Sequence, residues 1–174
     1  MIIAKKNKGF TLIEMIVYIA ILSVIVVALS SFLMWVLKAN AKSNSIKEVL
    51  DSSRRFMEII TYEIKGAKSI YLPTTTSTQL SLETIRYFPD GENSTYIDFY
   101  LATSTIFLKK ESQGPVAITS DKVEVNSLSF SQIQSTSTFP SIQISLEISY
   151  KNPDNRLEYT SSINLTSTIT LRVY

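Results

Sequence analysis

Between Met15 and Leu37 the chain runs 23 residues without a formal charge, most of them Ile, Val, Leu and Ala. That run limits the fold more than any other feature, because about 20 apolar residues in a helix span a hydrocarbon core of roughly 30 Å. Counted from Phe10 the stretch is 28 residues long, roughly 42 Å as a helix. A secretory signal peptide has a shorter apolar region, about 7–15 residues, followed by a small-residue cleavage site. Neither holds here, so the segment reads as a membrane helix. Lys5, Lys6 and Lys8 precede it. Such positive charge assigns that end to the cytoplasm and sends the C-terminal body outward.

One carboxylate, Glu14, interrupts the beginning of the run. An acidic residue at the centre of a bilayer helix costs roughly 2.5–3.5 kcal/mol on insertion scales, which makes an intramembrane carboxylate a functional candidate. The plain alternative is an anion at a helix N-terminus, favoured by about 0.3–1 kcal/mol.

Composition removes several kinds of chemistry. With no cysteine and no histidine, the chain has no disulfides, no thiolate or imidazole metal ligands, no cysteine nucleophile and no histidine-based triad. Absence of cysteine does not assign a compartment, since an exported domain with enough core manages without disulfides. Net charge is +2, but without the three leading lysines 14 basic side chains face 15 acidic ones. So balanced a body argues against a general nucleic-acid binder, which normally shows a basic face.

From residue 38 to 67 no proline occurs, and the only glycine is Gly66. Ile46, Val49, Leu50, Phe56, Met57, Ile60 and Ile64 recur at spacings of three and four, with Ser53 in the remaining slot; this is an amphipathic stripe. Lys47–Asp51, Asp51–Arg55 and Arg54–Glu58 lie four apart on the other side, an ordinary solvated face. A continuous helix over about residues 10–67, roughly 87 Å long, is therefore expected. Pro73 and the polar tract at 74–78 then read as a loop.

Beyond the loop the period becomes two. In SIQISLEISY, Ile142, Ile144, Leu146, Ile148 and Tyr150 share one face. Leu157, Tyr159, Ile163, Leu165, Ile169, Leu171 and Val173 follow the same rule, broken only by Ser161 and Ser167. TYIDFYLA and TIFLKKE are weaker examples, and the alternation slips at Asn126–Ser127, which predicts a bulge. Turn signals separate these runs at 89–92, 112–115 and 152–155. The fold class expected is α+β, with a long N-terminal helix packed on an antiparallel sheet that has one covered face.

KGFTLIE followed by a long apolar run resembles the class III signal of type IV pilins and type II secretion pseudopilins. The resemblance implies cleavage by a prepilin peptidase between Gly9 and Phe10, and N-methylation of Phe10. It also implies assembly through a pair formed by the Glu14 carboxylate of one subunit and the Phe10 amine of a neighbour. A buried charge is tolerated when paired, and buried polar groups set register. The implied organisation is a leader at 1–9, a transmembrane and assembly helix at 10–37, an amphipathic helix at 38–67 and a sheet head at 68–174. SLSFSQI, an alternating strand and a terminal TLRV look most like a minor pilin or minor pseudopilin. The cysteine pair that closes a C-terminal loop in many pilins is absent.

Partners implied are other pilin or pseudopilin subunits, the peptidase and an inner-membrane assembly platform, with no cofactor, metal, nucleic acid or small-molecule substrate. The implied location is the cytoplasmic membrane and then an extracellular or periplasmic filament.

Other signals carry less. Asp90, Glu92 and Asn93 lack the spacing of a calcium loop and read as a turn. Lys109–Lys110 reads as a charged strand end. Asn93-Ser94-Thr95 and Asn164-Leu165-Thr166 match the glycosylation acceptor pattern, which is common by chance. Glu58 and Glu63, five apart, share no helix face. No base is placed to activate a serine, so no catalytic group emerges. Two rivals from other classes remain: an uncut, single-pass anchor carrying a ligand-binding β domain, and a membrane-anchored hydrolase.

Overall fold

A long helix, α1, runs from Leu12 to Gly66, beginning two residues later and ending one residue earlier than the expected 10–67. Ala67 already belongs to a strand, where it pairs with Thr84. The computed structural model describes residues 9–86, 91–133 and 140–172. Two units make up the chain, Met1–Asn40 and Ala41–Tyr174.

In the first unit, every residue of α1 is exposed except the half-buried Val36. Side chains such as Ile19, Leu22, Val27, Phe32 and Trp35 show roughly half or more of their surface. Apolar residues occupy all sides, so there is no stripe to face a core of its own. Among the described residues this is the one helix long and apolar enough to cross a membrane.

The second unit holds the remainder of α1 and eight strands: β1 (Ala67–Ile70), β2 (Gln79–Thr84), β3 (Thr95–Ala102), β4 (Thr105–Lys110), β5 (Val116–Ala117), β6 (Val123–Ile133), β7 (Ser141–Tyr150) and β8 (Ser162–Thr170). They form two antiparallel sheets rather than the single one expected, β1-β2-β3-β4-β5 and β6-β7-β8. Alternation identifies a strand's faces but says nothing of its neighbours, so the split carries no sequence signature. Among the described residues, main-chain hydrogen bonds tie β6 to loops flanking the first sheet. The Val125 N–H donates to the Ser104 carbonyl (2.9 Å), and the Phe130 N–H donates to the Ser77 carbonyl (2.8 Å).

One apolar core serves both sheets. Val49, Phe56, Ile60 and Ile64 of α1 meet Leu80, Leu82, Ile97, Phe99 and Ile106 of the first sheet, and Val125, Leu128, Ile144 and Ile148 of the second. Fully burying such a side chain stabilises the fold by roughly 1.5–3 kcal/mol. Ser53 does fill the remaining slot, fully buried, with its hydroxyl donating to the Val49 carbonyl at 2.7 Å. Ile46 departs from the stripe, at 41% exposed. Lys47, Asp51, Arg54, Arg55 and Glu58 are all exposed. None of the pairs they could make four apart appears among the ion pairs of the described residues, as a solvated face requires.

The strands follow their patterns closely in places. In β7 Ile142, Ile144, Leu146 and Ile148 are buried, and the expected bulge lies between Val125 and Ser127. Asn155 closes the expected turn at 152–155, its N–H donating to the Asn152 carbonyl, while the turn near 112–115 is closed two residues earlier, over 110–113, by the Gln113 N–H donating to the Lys110 carbonyl. The last segment differs. Leu157–Tyr159 is a short 3-10 turn and Leu157 is 82% exposed. The strand starts only at Ser162, because the turn at 152–155 carries over into that helix before the chain can extend. Val173, like Pro89 and Asp90 of the 89–92 turn, lies outside the described residues. One hairpin gave no turn signal at all. Ala102 pairs with Thr105, leaving a two-residue loop with φ of 47° at Thr103 and 57° at Ser104, the geometry of a type I′ turn.

Candidate assembly site at the start of the helix

Gly9, Phe10 and Thr11 precede the helix in non-helical conformation and are exposed. Nothing lies within 4 Å of the place where a Cβ on Gly9 would sit, so the backbone there is open to an approaching enzyme. The Phe10 ring meets the Tyr18 ring edge-on, centroids 6.2 Å apart.

Thr11 caps the helix. Glu14 Oε2 accepts from the Thr11 N–H and from the Thr11 hydroxyl, both at 2.9 Å. In return the Glu14 N–H donates to Thr11 Oγ1 at 3.3 Å. This reciprocal pattern is a capping box, which satisfies amide donors that every helix start leaves open. Its sequence signature is T-x-x-E before an apolar run, present here as Thr11 to Glu14. The glutamate is therefore fixed at the helix entrance by one oxygen. Its Oε1 makes no hydrogen bond among the described residues, and Glu14 borders a shallow depression with Ile13, Val17 and Tyr18.

Polar groups further along the span are satisfied locally. The Ser23 hydroxyl donates to the Ala20 carbonyl, Ser30 to Val26 and Ser31 to Val27, at 2.8–3.0 Å. Such back-bonding satisfies these three serine hydroxyls without water, which lowers their cost in an apolar environment.

The structure thus places Gly9 and Phe10 just ahead of the helix and Glu14 in its first turn. Lys5, Lys6 and Lys8, with the rest of residues 1–8, lie outside the described residues. Glu92 and Asn93 are exposed. No group of three or more His, Cys, Asp or Glu side chains that could hold a metal occurs among the described residues.

A second charged group, without signature in the sequence, sits in the body. Glu63 is 5% exposed. Its Oε1 lies 3.8 Å from Lys110 Nζ, while its Oε2 and Arg86 Nη1 are buried with no hydrogen-bond partner among the described residues. Lys110 is thus more than a charged strand end. Burial pushes the Glu63 carboxyl above its ordinary range, and Lys110 and Arg86 offset this only in part. Arg86 stacks over the Tyr62 ring at 4.8 Å. Its guanidinium occupies the space that a side chain at Gly66 would need.

Residues 4–30 match the model of the prokaryotic N-terminal methylation motif. With that motif the chain carries the class III, prepilin-type signal of the type IV pilin and type II secretion pseudopilin superfamily. No curated protein and no solved structure gives a significant match to the chain. Together with a long N-terminal helix and antiparallel sheets, the architecture is α+β and pilin-like. The motif implies processing by a prepilin peptidase and assembly with pilin subunits, which is the part of a structural subunit. Signal and apolar helix together fit a membrane-anchored pilin.

Proposed function

We propose that the chain is a minor pilin or minor pseudopilin. It is cut between Gly9 and Phe10, N-methylated on Phe10, and drawn from the cytoplasmic membrane into a type IV pilus-like filament. Residues 1–9 are the leader, 10–37 the membrane and assembly segment, 38–67 the amphipathic helix and 68–174 the head. The leader faces the cytoplasm and the head lies outside. In the filament the 10–37 segment exchanges lipid for the flanks of neighbouring helices, and the loops at 73–78 and 89–95 select among partner subunits.

The observation that carries this reading is Glu14 beside an intact Gly9–Phe10 junction, at the head of a span exposed on every side. Cleavage turns the Phe10 nitrogen into a charged amine. Two opposite charges in an apolar setting neutralise each other, and the pair fixes the stagger of one helix against the next. The capping box holds one oxygen of Glu14 inside its own subunit and leaves the other open for the neighbour's amine.

Capping and pairing are separable by mutation. Glutamine also completes a capping box but carries no charge. Glu14→Gln therefore keeps the helix entrance and loses the pair. Processing of Glu14→Gln and Glu14→Ala is expected to be near normal, with filament incorporation low for both. Normal incorporation of Glu14→Gln would show that Glu14 acts as a cap alone. Mass spectrometry of the membrane-purified chain tests the larger reading. A mature form beginning at methylated Phe10 supports the subunit, and an intact Met1 supports a tethered β domain instead.

A further inference from the structure

The outer edge of β8 is open along nine residues, and its geometry assigns it an occupant. The Tyr150 N–H donates to the Ser161 carbonyl, and the Leu171 N–H donates to the Pro140 carbonyl. With the register of β7 against β8, these bonds fix which residues face inward. The odd-numbered residues of β8 exchange hydrogen bonds with β7, because bonded and non-bonded pairs alternate in an antiparallel ladder. Ser162, Asn164, Thr166, Thr168 and Thr170 therefore aim their N–H and C=O groups away from the sheet. All five side chains are exposed, and no backbone partner for these groups occurs among the described residues.

Other edges in the head are blunted. β1 has four residues and β5 two, and the free edge of β6 donates to Ser104 and Ser77. By contrast β8 has no charge, proline or glycine and no register shift, and so lacks the devices that discourage strand pairing. Its inward face is also incompletely covered, since Ile163 and Leu165 are only half-buried while Ile144 and Ile148 of β7 are fully buried. Beside the start of the edge, Lys42, Ile46, Leu50 and Ile163 line an apolar groove that could take a side chain.

We propose that β8 receives an extended strand from a neighbouring, non-identical subunit of the filament, enlarging the β6-β7-β8 sheet. This rests on the filament reading given above. The incoming segment is uncharged over at least five residues, polar where it faces Thr166 and apolar where it covers Ile163 and Leu165. Recognition is by main-chain hydrogen bonds, with side-chain alternation setting register. A symmetric pair of two β8 strands is disfavoured, because its two-fold axis lies normal to the sheet. Such a dyad would turn the α1 segments packed on the two sheets head to tail, whereas subunits anchored in one bilayer all point the same way.

Residue-resolved amide exchange tests this on the full mature chain, comparing the detergent-extracted subunit with assembled filaments. The odd-numbered amides from 163 to 169 are expected to be slow in both states. The even-numbered set, 162 to 170, is expected to be fast in the subunit and at least tenfold slower in the filament. Filaments in which the even set stays fast would overturn the edge proposal and leave the filament reading intact. A chain that never enters filaments would overturn the filament reading, and this occupant with it. Thr168→Pro removes an outward N–H and no β7 bond, so melting is expected to be unchanged while incorporation falls at least tenfold. Thr166→Lys, which blunts the edge without touching the backbone, gives the same loss. Wild-type incorporation of both variants would also refute the proposal.

Discussion

Replacing Thr103-Ser104 by Asn-Gly should stabilise the head. Both residues have positive φ, 47° and 57°, and the left-handed region costs an ordinary L-residue roughly 1–2 kcal/mol. Asparagine tolerates that region and glycine enters it freely. Against the relief stands the conformational entropy of the new glycine, about 0.5–1 kcal/mol. The net gain for the pair is about 1–2 kcal/mol. Both contacts that matter survive, because the Ala102–Thr105 pairing and the bond from Val125 N–H to the Ser104 carbonyl use only main-chain atoms. Each kcal/mol moves the Tm of a domain this size by roughly 2–4 °C, so a rise of roughly 2–8 °C is expected. Near-UV circular dichroism of the detergent-solubilised full chain reads it. Thr103→Ala with Ser104→Ala serves as control, because it changes both side chains and keeps the strain. An Asn-Gly variant melting at or below the wild type would refute the account of the turn.

Phe56 is fully buried beneath both sheets, and Phe56→Ala is expected to lower stability by about 3–5 kcal/mol, measurable by denaturant unfolding. Glu63 predicts a pH dependence. Its folded-state pKa lies above the unfolded one, so between the two values the native state binds more protons and stability falls as pH rises. Unfolding free energy, compared between wild type and Glu63→Gln from pH 4.5 upward, should show this contribution to the slope in the wild type alone. Identical slopes in the two proteins would dismiss the burial argument.

What the sequence revealed depended on whether a feature is local. Alternation in β7 and the slip at Asn126 were readable because each residue's face is set by its immediate neighbours. Ser53 was readable because a polar slot inside an apolar stripe has to point inward. The division into two sheets was not, since it depends on which edges meet across long separations in the chain. Thr103-Ser104 hid a hairpin because it lacks the Asn-Gly chemistry its geometry prefers. Leu157 misled because its parity fitted a strand that had not yet begun. At the candidate site, Gly9, Phe10 and Glu14 could be read in a row, and so could the Thr11 cap. Glu63 could not, because its burial and its cations come from α1, β4 and the segment that follows β2.

Ser23, Ser30 and Ser31 turn their hydroxyls back on their own helix, and this has an effect on sorting. Presented sideways, the segment offers neighbours an oily, chemically uniform flank that distinguishes poorly between a lipid tail and another helix. Under the pairing proposed for Glu14, discrimination would be concentrated at the start of the segment, so sliding and rotation along the flank would meet little polar resistance until that carboxylate met its counterpart.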